Sequence, residues 1–131
     1  MTASTIKTET VADVRAWRVR RIDIRSPVSK GAWPVARLEL EHPDRGAVTD
    51  IGKAPGAFDA AFVAAGHILG VSPQLLSYEV RSAAPVEGEA LLITIDVEIE
   101  LDGRRSKGSA QGVDLVRCSL EAWLDALAKL A

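Results

Sequence analysis

The sequence predicts an α+β fold made of two βββα repeats forming a single domain. Three observations carry that prediction. Apolar and polar residues alternate from Ala36 to Glu41, and Leu91, Ile93, Ile95, Val97, Ile99 and Leu101 alternate with Leu92, Thr94, Asp96, Glu98 and Glu100, the pattern of half-buried strands. In each half a third, shorter extended segment follows, and then a run with apolar residues at helical spacing. Each of those runs is preceded by a glycine, Gly56 or Gly112, with an aspartate close behind, Asp59 or Asp114. The repetition reads as an internal duplication.

The first residues, MTASTIKTETVA, are rich in Thr and Ser with little to bury, so residues 1–13 are expected to be a flexible leader and 14–131 the domain. Order is expected to begin near Arg15. Trp17, Val19, Ile22 and Ile24 are apolar with a change of parity between Val19 and Ile22, which predicts a first strand with a bulge. Pro27, Gly31 and Pro34 punctuate a turn, and Ala36, Leu38 and Leu40 then face one side of a second strand while Arg37, Glu39 and Glu41 face the other. His42 to Gly46 turns the chain into a third strand at Ala47–Ile51. Phe58, Phe62, Ala65 and Leu69 share one stripe, predicting a helix from Phe58 to Leu69 with Gly70 as its left-handed C-cap. In the second half, Leu76, Tyr78 and Val80 alternate with Ser77, Glu79 and Arg81. The long Leu91–Leu101 strand follows, and Asp102-Gly103 favours a tight type I′ hairpin into a polar strand, Arg104–Ala110. The last helix is predicted over Val113–Leu130, with Leu115, Cys118, Ala122 and Leu127 on its inner side.

Composition excludes several classes of function. At 131 residues, with 47% hydrophobic and 26% charged side chains, the chain suits one domain with one core. It is too short for a (β/α)8 barrel, which typically needs about 200 to 250 residues. One cysteine, Cys118, permits no intrachain disulfide and no cysteine-rich zinc site. A net charge of −2 argues against nucleic acid as a partner. No apolar run approaches the roughly 20 residues that span a bilayer, and the polar start lacks the apolar centre of a signal peptide, so a cytoplasmic protein without a membrane partner is expected.

Few residues suggest catalysis. His42 and His67 are the only histidines and are expected in a polar turn and near a helix end, outside any metal-ligand spacing. Cys118 lies in an apolar stripe, as a small buried hydrophobe would. Asp96, Glu98 and Glu100 project from one strand face, where solvated acids are usual. The basic run Arg15, Arg18, Arg20, Arg21 and Arg25 is divided between two strand faces and interrupted by Asp23. The two glycine-to-helix junctions say more. A helix N-terminus has unpaired N–H groups and a partial positive charge, so it stabilises a small carboxylate or phosphate, and glycine lets the ligand approach. The structural alternative is that Gly56 and Gly112 permit a turn while Asp59 and Asp114 interact with the helix starts.

Residues 54–62, APGAFDAAF, resemble the motif GxGPVDAxx of the C-terminal regulatory domain in the 2-isopropylmalate synthase family. Residues 75–81, LLSYEVR, are similar to that family's LxDYxVx strand, and residues 108–127, GSAQGVDLVRCSLEAWLDAL, to its final GxGxSxDIIxASxxAYLxAL segment. The resemblance runs in order from about Val14 to the end, and the family domain is itself a pair of βββα units. It implies a homodimer that binds a branched-chain amino acid, leucine foremost, at the dimer interface. It further implies feedback inhibition, in leucine biosynthesis, of a separate metal-dependent barrel that condenses an acyl-coenzyme A with a 2-oxo acid. The chain alone is therefore expected to be no enzyme, with no cofactor and no metal. By the same resemblance Gly56, Ala57, Phe58, Asp59 and Ala60 meet the effector, Tyr78 and Ser82 line its pocket, and Gly112, Val113 and Asp114 close it from the second helix. Ala54 and Ala110 stand where the family pattern has glycine, Ala57 where it has proline and Gly112 where it has serine. The alternative implied by those added methyl groups is a ligand-free dimerisation or scaffolding module of the same fold.

Overall fold

A computed structural model of the chain describes residues 14–27, 29–82, 88 and 91–130. The expected 1–13 leader lies outside the described residues. The chain divides into two compact units, residues 1–72 and 73–131. Each unit is a three-stranded antiparallel sheet followed by a helix, the α+β arrangement of two βββα repeats.

In the first unit a 3-10 turn, Val14–Ala16, leads into β1 (Arg18–Arg25), β2 (Val35–His42) and β3 (Gly46–Lys53), in the spatial order β1-β2-β3. The parity change in β1 is a register shift between Val19 and Arg21, which lets Val19 pair with Leu40 while Ile22 and Ile24 pair with Leu38 and Ala36. The bulge thus keeps both halves of an irregular apolar pattern on the core side. Ala36, Leu38 and Leu40 are completely buried. Burial of each leucine contributes about 1.5–3 kcal/mol. β2 runs further than the alternation of its apolar residues suggested, and its parity carries His42 inward. The expectation of a turn histidine is corrected: His42 is buried, its ring lies 5.0 Å from that of Trp17, and its Nδ1 accepts from the Asp44 N–H at 3.0 Å. Helix α1 (Ala57–Leu69) buries Ala60, Ala61, Phe62, Ala64, Ala65, Gly66 and Leu69. It ends at Gly70 in the left-handed region, φ 72°, as predicted.

In the second unit β4 (Gln74–Ser82), β5 (Ile93–Leu101) and β6 (Arg104–Gly112) form a sheet in the order β4-β5-β6, and helix α2 (Leu115–Ala128) follows. β5 buries Ile95, Val97 and Ile99, but the strand starts two residues later than the apolar alternation, leaving Leu91 and Leu92 exposed. Asp102 and Gly103 both take positive φ, 51° and 78°, as a type I′ turn requires. The register shift between Leu75 and Ser77 puts an irregularity in this unit's first strand too, one that its sequence does not announce. α2 is shorter than the predicted Val113–Leu130 because Asp114 caps it and so sets its start.

The duplication shows most plainly where each helix meets its third strand. A Cβ on Gly52 would collide with the backbone of Ala60 and Ala64 in α1, and one on Gly108 with the backbone of Ala122 and Ala126 in α2. Glycine on the strand and alanines one turn apart on the helix bring the two backbones together with no side chain between them. Helix side chains also reach the outer strand edges. His67 Nδ1–H donates to the Ile51 carbonyl at 2.8 Å, and Asp125 Oδ2 accepts the Ser109 N–H at 3.0 Å.

Candidate functional site

The two helix starts, alike in sequence, differ in chemistry. At α1 the N-cap is Gly56, with extended backbone (φ −107°, ψ 148°) and no side-chain cap. Its carbonyl accepts from Ala60 N–H at 2.9 Å, so the first helical turn closes normally and directs the Ala57, Phe58 and Asp59 amides toward the opening. Gly56, Ala57 and Phe58 are half-buried, and Asp59 is exposed in the first turn. A Cβ on Gly56 would come within 3.0 Å of Asp59 Oδ2, the mobile end of a side chain. Ala60 is completely buried, with its carbonyl against Gly52, and belongs to the core.

At α2 the corresponding position is closed. Asp114 Oδ1 accepts from the Arg117 N–H at 3.0 Å, so the acid serves the helix end. A Cβ on Gly112 would lie 2.8 Å from Cys118 Sγ. Glycine is needed there to admit the buried sulfur. Burial, and secondarily the charge of Glu121, raise the Cys118 thiol above its ordinary pKa, which leaves it a poor nucleophile at neutral pH.

Tyr78 is half-buried, with its hydroxyl 2.7 Å from Ser119 Oγ. Ser119 Oγ in turn donates to the Leu115 carbonyl at 2.7 Å, so the proton between the two hydroxyls comes from tyrosine. This chain of Tyr78, Ser119 and Leu115 ties β4 to the first turn of α2. Sequence reasoning gave Ser119 no role, although a serine in an apolar stripe, four residues after Leu115, is the mark of a hydroxyl bonded back to its own helix. Ser82 is exposed at the end of β4, on the same strand face as Tyr78 and about 13 Å along it. Cross-strand pairing puts Ser82, Ile93 and Gly112 in one row, next to Val113, which is 63% exposed. The second unit therefore gathers Ser82, Gly112 and Val113 at one end of its sheet and keeps Tyr78 apart. Gly56 to Ala60 form a separate cluster in the first unit.

Several of the other charged side chains are paired. Arg20 binds Glu39 at 3.1 Å and Glu41 at 2.6 Å, and Arg21 binds Asp23 at 3.0 Å. Asp96 and Glu100 bind Arg81 and Arg105 at 2.7 and 3.3 Å. A groove of about 360 Å³ bordered by Glu79, Glu98, Lys107 and Lys129 includes none of the candidate residues. Among the described residues no group of three or more His, Cys, Asp or Glu is placed to hold a metal ion, and no helix is long and apolar enough to cross a membrane.

The described residues thus form two βββα units, one with a glycine helix start and the other with an aspartate cap. Residues 3–131 match the family model described as the LeuA allosteric (dimerisation) domain, and the chain belongs to that family. It is similar to the 2-isopropylmalate synthase of Methylacidiphilum infernorum, 30% identical over 103 residues that make up 78% of this chain and 20% of the relative. It is also similar to the 2-isopropylmalate synthase of Xanthomonas campestris pv. campestris, 34% identical over 98 residues, 72% of this chain and 18% of the relative. The chain thus spans about a fifth of the length of these curated relatives.

Proposed function

We propose that this domain senses a branched-chain amino acid, leucine foremost, and modulates the acyl-transferring barrel of a 2-isopropylmalate synthase in leucine biosynthesis. The observation that carries the reading is the start of α1. Gly56 leaves the first-turn amides without a side-chain cap, while at α2 the Asp114 carboxylate already occupies the equivalent place. A ligand carboxylate at Gly56 to Asp59 would do for α1 what Asp114 does for α2. Asp59, exposed in that first turn, offers a charge partner for the ammonium group. In the first unit Ala57 and Phe58 are the apolar candidates beside Gly56 and Asp59, and the resemblance adds Tyr78, Ser82, Gly112 and Val113 as the second unit's own candidates. The effector acts by favouring one arrangement of a homodimer, to the extent of its differential affinity for the two. The chain alone performs no acyl transfer, uses no cofactor, and works in the cytoplasm, away from membranes and nucleic acids.

A second reading keeps the dimer and drops the ligand. Ala54 is buried, and its methyl group stands where the family pattern has glycine. One titration separates the two. With leucine, isoleucine or valine added to millimolar levels, the first reading expects Tm to rise with the logarithm of ligand concentration above Kd. Gly56→Asp, which supplies α1 with its own carboxylate, should abolish that rise while changing the stability of the free protein by only a few tenths of a kcal/mol. An unchanged transition with all three amino acids overturns effector binding and leaves the scaffold.

A further inference from the structure

The register shift in β4 decides where Tyr78 points. Leu75 stands opposite Ile99 and Tyr78 opposite Val97, both buried residues of β5. In an unbroken strand two residues with the spacing of Leu75 and Tyr78 would face opposite sides of the sheet. The shift between Leu75 and Ser77 absorbs one residue and turns both toward the side on which α2 packs. There the Tyr78 hydroxyl lies 2.7 Å from Ser119 Oγ, on a residue only 1% exposed.

The order of protons along this contact is fixed by chemistry. Ser119 has a single hydroxyl proton and donates it to the Leu115 carbonyl at 2.7 Å, so the bond between the two side chains uses the proton of Tyr78. That proton is committed to the protein and is not available to a ligand carboxylate. The helix itself has no need of the serine hydroxyl. In an α-helix the Leu115 carbonyl already accepts the backbone N–H four residues on, and alanine favours the helix more than serine does. The hydroxyl acts instead on Tyr78, which it ties to the first turn of α2. That turn follows Gly112, Val113 and the Asp114 cap, so Tyr78, distant from Gly112 and Val113 along the sheet, is joined to their end of α2 through Ser119.

We infer that Ser119 is a positioning residue for effector binding, holding the Tyr78 ring in place through the tyrosine's own proton, so that Tyr78 meets a ligand without donating to it. This rests on the reading of Tyr78 as part of an effector site. Calorimetric titration of the full chain with leucine, isoleucine and valine tests it. Tyr78→Phe and Ser119→Ala remove the same bond, so each should weaken binding about tenfold in Kd. The double variant should match either single variant within about twofold, because nothing is left to lose. A bond of purely structural use would lower the Tm of the free variants and leave Kd at the parent value. As a second measurement, Tyr78 is the only tyrosine in the chain, so the Raman doublet of the phenol reads this hydroxyl alone. It should show a proton donor in the parent and lose that signature in Ser119→Ala. A parent that binds none of the three amino acids overturns the effector reading and this inference with it. A binding parent whose single variants keep the parent Kd, whose two losses add in the double variant, or whose Raman doublet is unchanged by Ser119→Ala overturns the role of Ser119 alone.

Discussion

Helix α1 starts at a glycine with no side-chain cap, whereas α2 starts at Asp114, which binds the Arg117 amide. The units otherwise share their plan, down to the glycine on the third strand and the paired alanines on the helix. The units differ at the helix start and in the first strand, where arginine-rich β1 contrasts with a β4 that ends on one acid and one base, Glu79 and Arg81. The conserved plan serves packing, because backbone-to-backbone contact tolerates no extra atom. The places that differ, the helix start and the first strand, take no part in that contact.

The most severe way to break the likeness is to add a methyl group at the shared contact. Gly52→Ala and Gly108→Ala each drive a Cβ into helix backbone, which cannot swing aside as a side chain does. Each should lower unfolding free energy by about 3 kcal/mol in urea melts, and a loss under 1 kcal/mol for either would mean that the helix slides freely over its strand. The helix starts give a smaller, asymmetric effect. Asp114→Ala removes a cap that α1 never had, and should cost about 1 kcal/mol in the same melts. If it costs nothing, the contrast between the two junctions has no energetic content. The smallest effect is one of pH. Burial raises the Cys118 thiol above its ordinary value of 9.0 in the folded chain, whereas in the unfolded chain it ionises normally. Below that value both states hold the proton and the group leaves stability unchanged. As pH rises through it the unfolded state loses its proton first, so stability falls. A Cys118→Ala variant should lose that alkaline slope in thermal melts between pH 8 and 10, on the order of the ordinary thiol pKa.

The strands and helices were legible wherever periodicity and turn chemistry agreed. The bulge in β1 followed from the parity of Val19 and Ile22, the left-handed Gly70 from its place after Leu69, and the Asp102-Gly103 turn from its dipeptide. His42 was misplaced because a histidine beside Pro43 and Asp44 has the composition of a turn, while its burial depends on strand parity and on Trp17, which precedes β1. The candidate site was legible as two motifs and no further. The sequence presents Gly56 and Gly112 alike, yet one opens a helix start and the other makes room for Cys118.

By itself, then, the sequence determined the order of elements, their repetition and the family, because these depend on local spacing along the chain. Only the tertiary structure decided which helix start lacks a side-chain cap, which acid is spent on a cap, and which glycine makes room for a buried sulfur. Those outcomes depend on what neighbouring elements bring to each position, and a Cβ, a carboxylate or a backbone N–H has no assigned role until its partner in space is known.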